Sequence, residues 1–182
     1  MESAQGNHRE VSLLYRGEFL EVFRDAHWEY VGRVGSHGAV MIIPVTADNE
    51  LVLVEEYRYP LQTMTIGLPA GISGDEPGKE NEKISQTAIR ELEEETGYAV
   101  HSLEFLFTGP SSPGLTNEMI SFYLAKDLEK VGEGGGVANE NITVHTIPIK
   151  DVANWAMEQI KAGKCVDPRV FMALYFVSCQ QG

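Results

Sequence analysis

Basic charge is scarce in this chain. Fourteen lysines and arginines stand against 27 aspartates and glutamates, a formal net charge of −13 at pH 7. Phosphate backbones repel such a surface, and no lysine-rich tract overrides the repulsion, so general nucleic-acid binding is disfavoured. Long apolar runs are lacking too. No stretch approaches the roughly 20 residues that a bilayer-spanning helix needs. The opening Met1-Glu2-Ser3-Ala4-Gln5-Gly6 has neither the basic start nor the apolar core of a signal peptide. Secretion by that route is not expected, and a cytoplasmic protein without a membrane partner is. Cysteine is limited to Cys165 and Cys179, with no CxxC spacing. Two free thiols near a packed helix are expected rather than a disulfide. Internal repeats and inter-domain linkers are also missing.

What is there suits a globular chain. The 182 residues are 43% hydrophobic and 23% charged, enough for one domain with a full core. The acidity poses a question for any phosphate-bearing substrate. Either a few arginines are aimed locally, or a divalent cation bridges protein and phosphate.

Short β-rich stretches at Val11–Tyr15, Phe19–Phe23 and Trp28–Val31 predict a small antiparallel meander, with turns at Arg16–Glu18 and Arg24–Ala26. The apolar run Ala39–Val45 predicts a buried strand. Ala47–Glu50 turns the chain, Leu51–Tyr57 returns as a strand, and Met64–Pro69 predicts another. Gly71–Gly78 reads as a loop. From Lys79 to Thr96 the pattern turns helical: Ile84, Ala88 and Leu92 form a stripe, and Gly97 is placed to cap it. Strands are expected at 101–108, 119–125 and 142–149, with a glycine-rich loop over 127–141. Asp151–Ala162 and Pro168–Cys179 read as closing helices. Strands around one long helix, with helices at the end, predict an α/β layered sandwich.

The most informative stretch is Arg90-Glu91-Leu92-Glu93-Glu94-Glu95-Thr96-Gly97-Tyr98. On a helix Glu95 lies about 40° from Glu91, and Glu94 about 60° to the other side. Three carboxylates thus share one face. Like charges one turn apart cost about 0.2–0.5 kcal/mol each. A solvated acidic face is one reading. A site for Mg²⁺ or Mn²⁺, hard cations that prefer carboxylate oxygen, is the other.

The order of these residues resembles the second half of the box that defines Nudix hydrolases, matched by Arg90, Glu91, Leu92, Glu94, Glu95, Gly97 and Tyr98. Glu82, eight positions before Arg90, fits the first glutamate of that box. Gly71, in Leu68-Pro69-Ala70-Gly71, is the candidate opening glycine. It lies eleven positions before Glu82 where six is usual, so the loop carries five extra residues. The resemblance implies a Nudix-type α/β/α sandwich with a mixed sheet and an N-terminal antiparallel β-arm. The arm would be residues 1–36 and the Nudix hydrolase domain residues 37–182. It also implies metal ligands at Glu91, Glu94, Glu95 and the backbone oxygen of Ala70. Arg90 would brace these carboxylates.

Other segments resemble the ADP-ribose pyrophosphatase branch of that family. Leu53–Pro60 carries Arg58, which the resemblance places over the substrate. Ser112-Pro113-Gly114-Leu115-Thr116 resembles a Ser-Pro-Gly loop, with Pro113 sixteen residues after Gly97 as in that branch, which implies substrate binding at Pro113 and Gly114. An ordinary Pro-Gly turn is the alternative. Trp28 and Arg33 resemble an arm in which the Trp stacks on a base and the Arg reaches the substrate; sheet packing and a solvated arginine are the alternatives. Tyr30 and Tyr57 are read as packing residues. The branch implies a homodimer that exchanges arms. Glu140, in the glycine-rich loop, is the first candidate for general base and Glu133 the second; a disordered acidic loop is the alternative there. Gly134, Gly135 and Gly136 would let that loop move. The activity implied is metal-dependent hydrolysis of a nucleoside diphosphate sugar, ADP-ribose first. GDP-mannose, broad specificity and a non-catalytic nucleotide-sugar sensor are the alternatives.

Overall fold

The computed structural model describes residues 11–74, 78–137 and 141–179. Three strands come first: β1 (Ser12–Arg16), β2 (Leu20–Asp25) and β3 (Trp28–Arg33). They form an antiparallel sheet of their own, β1-β2-β3, as the alternating stretches predict. Tyr30 stacks on Phe23 across this sheet at 5.3 Å.

The next elements are β4 (Gly38–Pro44), β5 (Glu50–Arg58), β6 (Thr63–Gly67), β7 (Ala70–Ser73) and α1 (Ile84–Thr96). Then come β8 (Tyr98–Pro110), β9 (Met119–Lys130), β10 (Thr143–Pro148), α2 (Ile149–Lys161), β11 (Cys165–Val166) and α3 (Arg169–Cys179). They build two mixed four-stranded sheets, β7-β4-β9-β8 and β10-β5-β6-β11. β4 runs parallel to β9 and antiparallel to β7.

β4 is apolar throughout because both its faces are buried. Val40 and Ile42 pack with Ala88 and Leu92 of α1. Met41 and Ile43 face the main core, which also holds Leu53, Ile66, Phe122, Val152 and Val170. That core takes in α2 and α3, so the helices cover opposite sides of the sheets: an α/β/α sandwich. β4 and β5 do not pair as a hairpin. Asn49, in the left-handed conformation (φ 60°), turns the chain, and only a bridge between Val45 and Leu51 joins the two. β5 leaves for the second sheet.

Several boundaries differ from the sequence reading. Gly71–Ser73, expected in a loop, is part of β7: pairing with β4 overrides its glycine content. The helix starts at Ile84 rather than Lys79. His37 Nε2 meets the Glu80 carbonyl at 2.7 Å and Ser73 Oγ donates to the Glu82 carbonyl at 3.3 Å, so both oxygens are engaged by tertiary partners instead of a helical turn. Gln86 Oε1 accepts from the Lys83 amide at the helix entry. At its end Gly97 sits at φ 70°, and its amide donates to the Glu93 carbonyl at 2.8 Å. β8 and β9 are longer than expected because they pair from Tyr98↔Lys130 to Pro110↔Met119. This moves the start of the glycine-rich loop from 127 to 131. The two-residue β11 was not legible: it exists through its parallel pairing with β6. Cys165 within it is a free thiol.

Candidate active site

The acidic face of α1 meets strand β7 through a close backbone approach. A Cβ on Gly71 would lie 2.2 Å from Glu91 Cδ and 2.3 Å from its Cγ. Only glycine lets the Glu91 carboxylate lie along this strand. One helical turn on, Glu95 is buried, 6% exposed, and its Oε2 accepts from the Ala70 amide at 3.2 Å. Ala70, Gly71, Glu91, Glu94 and Glu95 therefore share one wall.

Arg90 organises the rest. Its Nη1 lies 3.0 Å from Glu91 Oε1 and 2.9 Å from Glu94 Oε2. Its Nη2 and Nε reach Glu82 at 3.2 and 3.3 Å. Thr87 Oγ1 also donates to Glu82, at 2.9 Å. The Arg90 hydrogen bonds, helped by that of Thr87, hold the Glu82 carboxyl below its ordinary pKa against burial, which raises it. Glu82 thus serves the brace, and the five-residue insertion has not displaced it from Arg90. Residues 75–77 of the loop that carries the insertion lie outside the described residues.

The glycine-rich loop is docked, not merely permissive. The Gly135 amide donates to the Glu95 carbonyl at 2.9 Å and the Gly136 amide to the Glu94 carbonyl at 3.0 Å. Val131 and Gly132 donate to the Gly97 carbonyl at 2.9 and 3.1 Å. Gly134, Gly135 and Gly136 take φ of 71°, 108° and 82°, a region that L side chains rarely enter. A Cβ on Gly134 would stand 2.4 Å from the Thr96 carbonyl carbon. These glycines let the loop satisfy the carbonyls at the helix end, beneath the carboxylates themselves. Glu133 is exposed within this loop, and Glu140 lies outside the described residues.

The acidic wall forms one side of a cleft of about 620 Å³. Arg33 from β3 and Arg58 from β5 line it as well, as do Glu56, Thr65, Glu118, Asp167, Arg169 and Val137. Arg33 Nε contacts Glu118 Oε1 at 2.5 Å, and Arg58 contacts Glu56 at 2.5 Å. Arg169 grips Asp167 through its guanidinium, Nε at 2.8 Å from Oδ1 and 3.1 Å from Oδ2 and Nη2 at 2.6 Å from Oδ2. Burial pushes the Glu118 carboxyl up, but hydrogen bonds from Arg33 and Ser111 and the charges of Arg33 and Arg169 hold it below the usual range.

Trp28, Pro113 and Gly114 are not brought to this cleft. Trp28 is half exposed at the end of the arm. The Ser-Pro-Gly turn docks on the arm: the Val31 amide donates to the Leu115 carbonyl at 2.9 Å, and the Asn117 amide to the Val31 carbonyl. Glu56 was legible from alternation, since it shares the cleft-facing side of β5 with Arg58. Glu118, Asp167 and Arg169 reach the cleft only through tertiary packing.

The donor set fits a hard divalent cation. Three carboxylates lie within one turn of α1, and one of them, Glu95, is buried and accepts from a backbone amide. Among the described residues, no three acidic, His or Cys side chains already converge as ligands. Arg90 accounts for this, drawing Glu91 and Glu94 to its guanidinium while Glu95 turns to Ala70.

Residues 35–164 match the NUDIX domain model. The chain belongs to that family. Its Nudix fold is shared with a crystal structure of an ADP compounds hydrolase, at TM-score 0.68 and 23% identity, covering 94% of this chain and 91% of that one. A methanol dehydrogenase activator from Bacillus methanolicus is 35% identical over 79% of this chain and 74% of the relative. An ADP-ribose pyrophosphatase from Bacillus subtilis (strain 168) is 29% identical over 79% and 74%. A GDP-mannose pyrophosphatase from Escherichia coli (strain K12) is 28% identical over 78% and 73%. With the helical half of the box intact, the chain is a Nudix pyrophosphohydrolase. Among the described residues, no helix is long and apolar enough to cross a membrane.

Proposed function

We propose that this Nudix hydrolase cuts the diphosphate bond of nucleoside diphosphate sugars, ADP-ribose first, giving a nucleoside monophosphate and a sugar phosphate. One observation carries the reading: Glu91, Glu94 and Glu95 share a single cleft with Arg33 and Arg58. Carboxylates suit a cation, and guanidinium groups suit phosphate oxygens.

Glu91, Glu94, Glu95 and the Ala70 backbone oxygen would hold Mg²⁺, with Mn²⁺ an alternative. Bound there, the metal would neutralise diphosphate charge and lower the pKa of a water. Arg90 orients Glu91 and Glu94. Arg33 and Arg58 clamp the substrate. Glu140 takes the proton as general base, with Glu133 as second choice.

The arm leads to a homodimer. It exposes Leu13, Tyr15, Phe19 and Leu20, an apolar surface suited to a second copy. In that dimer Trp28 would stack on the base in the partner's cleft, with Pro113 and Gly114 lining the arm's seat. We assign the arm to residues 1–36, the catalytic domain to 37–182, and the protein to the cytoplasm. GDP-mannose is the second reading, favoured by relatives of nearly equal identity.

The test is phosphate release, coupled to alkaline phosphatase, over a panel of nucleoside diphosphate sugars with and without Mg²⁺. Mg²⁺-dependent release led by ADP-ribose is expected. Release led by GDP-mannose selects the second reading, and no release from any member rejects both. Glu95→Gln should lower turnover by about two orders of magnitude or more with the melting curve retained. Wild-type turnover in that variant would reject the metal assignment.

A further inference from the structure

We infer that Thr65, with Glu56 and Asp167, forms a subsite for the sugar hydroxyls of the substrate, and that the Thr65 hydroxyl helps set the sugar preference. The inference rests on the reading of the protein as a nucleoside diphosphate sugar hydrolase and concerns the wall of the cleft away from the metal-binding helix.

Along β6, Ile66 enters the main core and Thr65 and Gly67 face the cleft. Thr65 is 9% exposed, and its Oγ1 has no hydrogen-bond partner among the described residues. A buried hydroxyl in that state carries a standing cost, and few are kept without a ligand or an ordered water to satisfy them. Rotation about χ1 between staggered wells exchanges the threonine hydroxyl with its methyl. The side chain can thus turn an oxygen to the cleft without moving backbone.

Its neighbours define the ligand. Glu56 is the direct cross-strand partner of Thr65 in the β5–β6 ladder. Asp167 follows β11, whose residues Cys165 and Val166 pair with Thr65 and Ile66. The Asp167 amide donates to the Ile66 carbonyl at 2.8 Å, and a Cβ on Gly67 would lie 3.8 Å from Asp167 Cβ. A hydroxyl and two carboxylates therefore line the same cleft, Glu56 across from Thr65 and Asp167 beside Gly67, two residues along β6. Each carboxylate meets an arginine, Glu56 through Arg58 and Asp167 through Arg169. A carboxylate offers about four acceptor positions, so an arginine does not exhaust it. These paired carboxylates keep acceptor positions for neutral hydroxyl donors. A vicinal diol fits: it donates to the carboxylates, while Thr65 gives and takes one hydrogen bond.

The experiment compares two substrates that share nucleoside and diphosphate: ADP-ribose, and the methyl ester of ADP, which has no sugar beyond the diphosphate. Thr65→Val keeps the shape and removes the hydroxyl; Thr65→Ser keeps the hydroxyl. In Thr65→Val the ratio of kcat/KM for ADP-ribose to that for the methyl ester should fall about tenfold, mostly through KM, the size of one lost hydrogen bond. Thr65→Ser should restore most of it. The melting temperature of Thr65→Val should hold or rise, since an unsatisfied hydroxyl is gone. An unchanged ratio, through no loss or equal loss on both substrates, overturns the inference. A wild-type protein that hydrolyses no nucleoside diphosphate sugar overturns the proposed function itself, and that failure shows before any variant is made.

Discussion

Gly71→Ala separates the geometry of the acidic wall from the stability of the fold. The added methyl would lie 2.2 Å from Glu91 Cδ. That is about 1.3 Å short of ordinary carbon–carbon contact. Glu91 is a flexible side chain on the helix surface, and Gly71 does not sit in the left-handed region, so the clash resolves by moving Glu91 rather than backbone. The carboxylate must then leave its place beside β7 and its 3.0 Å contact with Arg90. Misplacing a reacting group by about 1 Å costs on the order of 100-fold in rate. We expect kcat/KM on ADP-ribose to fall by about that factor and half-saturation by Mg²⁺ to rise. The stability change should stay under about 1 kcal/mol, a few degrees in melting temperature. A double-mutant cycle makes the point specific: once Glu91→Gln is in place, Gly71→Ala should cost little more. Wild-type rate and Mg²⁺ response in Gly71→Ala would refute the reasoning, as would full additivity with Glu91→Gln.

Gly134→Ala should behave in the opposite way. Its methyl meets backbone, 2.4 Å from the Thr96 carbonyl carbon and 2.7 Å from the Glu95 oxygen, at φ 71°, so a loss of about 1–3 kcal/mol is expected by thermal melting; a wild-type melt would show that the loop does not need its dock. Glu55 makes acid stability a third test. Burial raises its pKa, but hydrogen bonds from Lys164 and His145 outweigh this and hold it below 4.5. A depressed carboxyl stabilises the fold above its unfolded pKa, and that contribution fades as pH falls through the lower, folded value. Glu55→Gln should therefore cost about 1.5–3 kcal/mol near neutrality in urea titrations, with a smaller penalty below pH 4.5; a cost independent of pH would remove Glu55 from the acid transition.

Local patterns carried much of the fold because they encode burial directly. The 84/88/92 stripe marks the face of α1 that packs on β4, and the unbroken run in β4 marks a strand covered on both sides. The glutamates at 91, 94 and 95 were legible as a cluster because helix geometry alone places them together. β7 was hidden because Gly71 reads as a turn signal until Glu91 is seen against it. The glycines at 134–136 read as freedom, whereas in the fold they allow hydrogen bonds to the end of α1. Glu118, Asp167 and Arg169 carry no local signal at all. Their arrival at the cleft depends on β9 following a long loop and on β11 pairing with β6.

The acidity of the chain has a local answer in the cleft. Four arginines line it, Arg33, Arg58, Arg90 and Arg169, against six carboxylates, those of Glu56, Glu91, Glu94, Glu95, Glu118 and Asp167. Four positive charges less six negative leave −2, so the cleft that should receive a diphosphate-bearing substrate remains negative. The arginines do not escape this balance, because each one contacts a carboxylate at 3.2 Å or less. They hold the carboxylates in place as much as they offer charge to a ligand. One divalent cation brings the count to zero, and a second makes it positive. Binding of an anionic substrate should therefore depend on the metal, not only its turnover. In calorimetry, ADP-ribose should show at least about a tenfold weaker affinity in EDTA than in Ca²⁺, a hard cation that supports binding with little hydrolysis. Equal affinity in the two conditions would mean that the arginines alone receive the diphosphate, and the charge argument for a cation site would fail.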